Sequence, residues 1–145
     1  SSVDLDVFGL DPQNSYHAFD FWKRRYLGIL RGALACPALP LGSCQLIGVS
    51  PCLERPAFLA DSRHVSFGLG FLVSERWAGR ELCLELEGVE GALFSCWITS
   101  AGMNLLSARG EGLEVLDRVE ESTGMVLRFD VLFGRARAHL RLAFE

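Results

Sequence analysis

The sequence predicts an all-β protein, an antiparallel β-sandwich of seven strands with a small N-terminal β unit packed on it. Three observations predict this class. Apolar and polar residues alternate with a period of two through most of the C-terminal two-thirds. Turn residues recur about every ten positions there, which is sandwich spacing. Hydrophobic residues make up 50% of the 145, enough for a chain of this length to bury a real core.

In the N-terminal part, strands are expected over 3–8, 16–22, 26–30 and 44–49, with a turn at Gly9-Leu-Asp-Pro12. Pro37 and Pro40 cannot donate to a ladder, so the loop 37–43 should skirt a sheet edge. Pro51 and Pro56 mark a connector, and the two units are expected at 1–57 and 58–145. The chain opens on Ser1-Ser2 without an initiator Met, which fits an internal cut through a longer protein or a residue left by cloning, so the first unit is expected to be truncated upstream.

In the C-terminal part, strands are expected over 71–77 and then over Leu82, Leu84 and Leu86, which alternate with Glu81, Glu85 and Glu87. Glu87-Gly-Val-Glu-Gly91 breaks this strand. Leu93 to Thr99 follows, with Phe94, Cys96 and Ile98 on one side and Ser95, Trp97 and Thr99 on the other. Ala101-Gly102 ends it, and 103–108 is the next strand. Glu111 to Ser122 carries both periods: Leu113, Leu116 and Val119 fit a helix with Glu114 facing Arg118, whereas Leu113 and Val115 fit a strand. Gly112, the valines and the flanking strands favour the strand. Met125 to Phe133 and Ala136 to Phe144 alternate cleanly, and the short connection through Gly134 reads as an antiparallel hairpin. Arg137, His139 and Arg141 give the last strand a basic wet face, which pairing with the acidic 81–87 strand would lock in register.

The net charge of -4 offers no attraction for a polyanion, so neither nucleic acid nor an anionic membrane is an expected partner. No apolar run approaches the ~20 residues of a spanning helix. The five cysteines, Cys36, Cys44, Cys52, Cys83 and Cys96, are odd in number and lack the tight pairs that zinc requires, so buried free thiols and a cytoplasmic location are expected, with no metal and no cofactor. His17, His64 and His139 have no partner at helical spacing.

Candidate chemistry is sparse. Most acids alternate along strands and read as a solvated face. Asp20 stands apart in His17-Ala-Phe-Asp-Phe-Trp-Lys-Arg-Arg25, where aromatic neighbours could desolvate it and an ion pair with Arg24 or Arg25 is the favoured role. No second carboxyl signals a glycosidase pair, no G-x-S-x-G elbow occurs, and Gly68-Leu-Gly70 lacks the spacing of a phosphate cradle. The site residues are two tryptophans, Trp97 and Trp22. By alternation Trp97 lies on the polar side of its strand, where an indole could stack on a sugar or pack on a neighbouring domain, unless a bulge or second layer buries it. Trp22 lies beside basic residues and a turn.

The stretches Ser15-Tyr-His-Ala-Phe-Asp-Phe-Trp-Lys-Arg-Arg-Tyr-Leu-Gly28, Pro40-Leu-Gly-Ser-Cys-Gln-Leu-Ile-Gly-Val-Ser-Pro51 and Arg55-Pro-Ala-Phe-Leu-Ala-Asp-Ser-Arg-His64 resemble the C-terminal β region of melibiase-type α-galactosidases. There, a D-F-W-x-x-R-Y-L-G phrase leads to a short strand and then to an S-R-H phrase. The family's S-R-H-I-T-Q-G reads here Ser62-Arg-His-Val-Ser-Phe-Gly68, departing after the histidine. In such relatives the catalytic carboxylates belong to a preceding barrel. The resemblance therefore implies an accessory β-sandwich of a glycoside hydrolase, itself not an enzyme, whose partner is the catalytic barrel of the same parent chain. The alternative is a carbohydrate-binding module that stacks sugar on Trp97 or Trp22.

Overall fold

A computed structural model describes residues 1–63 and 71–145. All regular structure among them is strand or short 3-10 turn, in antiparallel sheets. The chain divides into two compact units, 1–52 and 53–145, and each is described by itself. The expected phrases at His64 and at Gly68-Leu-Gly70 lie outside the described residues.

The first unit is a five-stranded sheet in the order β1-β4-β3-β2-β5, built from β1 (Ser2–Asp4), β2 (Ser15–Asp20), β3 (Arg25–Arg31), β4 (Ala33–Ala35) and β5 (Ile47–Pro51). The strand expected over 3–8 stops at Asp4, because Leu5–Phe8 closes a 3-10 turn in which Gly9, at φ 73°, donates its N–H to Asp6. Leu5 is fully buried there, with its N–H bonded to the Gly32 carbonyl. The strand expected over 44–49 begins later, at Ile47, and the proline loop before it carries no ladder, as Pro37 and Pro40 require. β2 is the spine, with Tyr16 through Asp20 all buried.

The second unit has eight described strands, one more than expected. β6 (Ala57–Asp61), β9 (Leu93–Thr99), β11 (Leu113–Glu121) and β12 (Val126–Phe133) form one sheet, ordered β11-β12-β9-β6. β7 (Leu72–Ala78), β8 (Glu81–Glu87), β10 (Leu105–Glu111) and β13 (Arg137–Phe144) form the other, ordered β10-β13-β8-β7. Leu82, Leu84 and Leu86 of one sheet meet Cys96, Ile98, Phe129 and Val131 of the other in a single buried cluster, with Leu140 and Leu142 beside them. Each such large side chain contributes about 1.5–3 kcal/mol. Phe71, Phe94 and Phe133 close one end, their ring centroids 5.3 to 5.5 Å apart.

Two expectations resolve here. Residues 113–121 are a strand, with a register shift between Val115 and Asp117 that breaks strict alternation around Leu116 and explains the competing helical period. β12 and β13 are not a hairpin. β12 pairs with β11 and β9, while β13 pairs with β8 and β10, so the Gly134 connection crosses from one sheet to the other. Each strand has one apolar face, and crossing lets both faces meet in the same core. The Gly134 N–H bonds to Gly112 at 2.9 Å, at the other crossing between the sheets.

Candidate functional surfaces

The Asp-Phe-Trp-Lys-Arg-Arg phrase is the turn between β2 and β3. Asp20 ends β2 fully buried, and its two carboxylate oxygens accept from the Lys23 N–H at 3.0 Å and the Gln45 side-chain amide at 2.8 Å. Burial pushes this carboxyl up, but the hydrogen bonds from Gln45 and Lys23 and the Lys23 charge outweigh it and hold Asp20 below its ordinary value. The expected arginine partner therefore gives way to an amide that lies too far along the chain for the sequence to suggest. Trp22 sits on this turn at 50% exposure, beside exposed Lys23, Arg24 and Arg25.

Trp97 lies on the face of β9 that alternation assigns, level with Arg128 of β12 and Ala60 of β6, yet it is only 2% exposed. Of the two outcomes the sequence leaves open for Trp97, burial is the one the structure shows, and an indole this deep has no face to offer a sugar. Alternation reports the side of a strand, whereas burial depends on what flanks it. The register shift of β6 between Phe58 and Ala60 lies beside Trp97 in the ladder, so strict alternation is already broken where the indole sits. Trp77, near the β7 end, packs on Phe144 with centroids 6.0 Å apart.

Inside the first sheet, His17 Nδ1 and the Tyr26 hydroxyl share a hydrogen bond of 2.9 Å. Burial lowers the His17 pKa, and burial together with Cys52 raises that of Tyr26 to about 12. The imidazole is thus neutral near pH 7. All five cysteines are free. Cys96 is buried, and burial with the Asp61 and Asp130 charges pushes its thiol far up, so it is inert. Against the expectation of burial, Cys44 is exposed, in the loop before β5, and Cys36, Cys52 and Cys83 are only partly buried.

The outer face of the second sheet is a charge lattice. Arg137 pairs with Glu85 at 2.9 Å, Arg141 with Glu81 at 3.5 Å and with Glu111 at 3.7 Å, and Arg109 with Glu81 at 3.4 Å. The Cys83 thiol and then Arg141 and Arg109 lower the Glu81 pKa against burial, and Arg137 with Ser74 does the same for Glu85. The acidic and basic strands read from the sequence are indeed neighbours in register, with Leu84 opposite Leu140.

At one end of the sandwich, the β9–β10 turn and the β11–β12 turn enclose a cleft of about 270 Å³. Met103, Leu105, Met125 and Leu127 form its apolar lining, with Asn104, Glu120 and Thr123 also lining it. The described residues include no cluster of His, Cys, Asp or Glu able to hold a metal ion, and no helix long and apolar enough to cross a membrane. The chain matches no known family model and no curated protein.

Proposed function

We propose that the chain is an accessory β region of an α-galactosidase-like glycoside hydrolase, one that packs on or helps assemble a catalytic barrel elsewhere in the parent chain. The reading is supported by the fate of its most distinctive phrase. Asp20, the one acid set among aromatics, has both oxygens bonded within the β2–β3 turn, a positioning task and not a proton-transfer one. The acids of β8 are likewise engaged with arginines across the ladder. Two measurements test the proposal. The purified chain should leave aryl α-galactosides intact, and turnover would end the accessory role. The encoding reading frame should continue upstream of Ser1 with the roughly 250 residues of strand-helix alternation that a barrel needs. Any other upstream domain would end the hydrolase reading.

A carbohydrate-binding role by stacking keeps one residue in its favour, the half-exposed Trp22. Calorimetric titration with galactosides should lose its heat in Trp22→Ala if that reading holds, and an unchanged affinity removes it.

A further inference from the structure

We propose that the cleft between the β9–β10 and β11–β12 turns binds a single neutral sugar ring, independently of Trp22 and of the hydrolase reading. Its walls are fixed before any ligand arrives. Ser100 ties the two turns together, its N–H donating to the Met125 carbonyl at 2.9 Å and its hydroxyl to the Gly124 carbonyl at 2.7 Å. The same hydroxyl accepts the Gly102 N–H at 3.2 Å, so Ser100 is spent on the scaffold. Ala101, Ser122 and Thr123 hold positive φ of 52°, 50° and 58°, a backbone conformation costly for residues with a side chain and therefore kept only where the surroundings enforce it.

What remains available matches a polyol. Among the described residues, neither the Asn104 side-chain amide nor the Glu120 carboxylate has a hydrogen bond or ion pair, and both line the cleft. The Thr123 hydroxyl donates to the Ser122 carbonyl and keeps its lone pairs for an incoming donor. Acceptors at Glu120 and Thr123 with an amide that both donates and accepts fit hydroxyl groups, which do both as well. The methionine and leucine side chains fit the C–H face of a ring. No basic side chain among the described residues lines the cleft, which disfavours an anion. At about 270 Å³ the space lies just below the ~300 Å³ at which sites for drug-sized ligands begin, which suits one sugar ring.

The test is an amide chemical-shift titration of the 145-residue chain with methyl α-D-galactopyranoside and with D-glucose, with tetramethylammonium as a cationic control. Saturable shifts at Gly102, Asn104, Thr123 and Gly124 at millimolar sugar, weakened about tenfold in Asn104→Ala and in Glu120→Ala, are expected. Both side chains are exposed, so the variants keep the fold. Glu120→Gln should retain most of the affinity, because a neutral amide still bonds a hydroxyl. Sugar-independent spectra, shifts confined to the Trp22 turn, shifts unchanged in the alanine variants, or saturation by tetramethylammonium alone would each overturn the proposal.

Discussion

The strongest constraints at the residue scale are the buried polar groups. Asp20→Ala leaves the Lys23 N–H and the Gln45 amide without their acceptor, and should cost about 2–4 kcal/mol in urea unfolding. Asp20→Asn retains an acceptor and should cost less. His17 sets an acid limit. Its folded pKa lies below 6.5, so the folded state holds fewer protons than the unfolded one. The stability this brings is whole above pH 6.5 and declines as pH falls from there through the folded value. Asp20, Glu81 and Glu85, also depressed, add their losses only as pH drops below the ordinary carboxylate values of 3.8 and 4.5. Stability measured from pH 7 to pH 5 should therefore fall in the native chain and fall less in His17→Gln. Tyr26 acts at the other end: its tyrosinate absorbance should titrate near 12, and stability should drop as pH rises from 10.0 toward that value. Asp20 is recognisable in the sequence as a special acid, but Gln45 is not, since nothing local links a loop amide to the end of the neighbouring strand 25 residues earlier.

The element scale is where sequence reading works best and where its failures are most instructive. β8, β9 and β13 follow directly from alternation, because each has one face in the core. β4 was not expected, since Ala33–Ala35 is too short to show a period. The β12–β13 crossing escaped as well, because a short polar connection serves a hairpin and a sheet-to-sheet arch equally. Trp97 shows the same boundary: alternation finds its face but does not find the depth. The two sheets of the sandwich are also joined at their edges by one side chain. Glu75 of β7 accepts the Phe58 N–H of β6 at 2.6 Å with one oxygen and pairs with Arg55 at 3.2 Å with the other. Glu75→Ala removes both and leaves a part-buried N–H unsatisfied, so it should cost about 1–3 kcal/mol by urea melts, with Glu75→Gln intermediate. An alanine at Gly110 tests packing at the opposite edge. Its Cβ would drive into the Leu113 carbonyl and side chain, and a loss of about 1–3 kcal/mol is expected.

Long-range pairing governs the molecule as a whole. In the second unit no sheet is a simple meander: β6 pairs with β9, β8 with β13, and β10 with β13, so Ala57 must find Thr99 and Leu82 must find Leu142 before either ladder exists. The loop closure precedes the contacts that reward it, which slows folding. Antiparallel sandwiches of this kind refold in milliseconds to seconds, and stopped-flow refolding of this chain should fall in that range. The register lattice of Glu81, Glu85, Arg137 and Arg141 lies on β8 and β13, whose pairing is among the most non-local in the chain, and its attraction is screened by salt. Raising ionic strength should consequently slow refolding if those charges guide the β8–β13 encounter in the transition state. If they act only after docking, salt should accelerate unfolding and leave the refolding rate unchanged. Arg137→Gln paired with Glu85→Gln, measured in both limbs of the chevron, separates the two outcomes: removal of this pair should weaken whichever salt effect the native chain shows, the Arg141–Glu81 pair carrying the remainder.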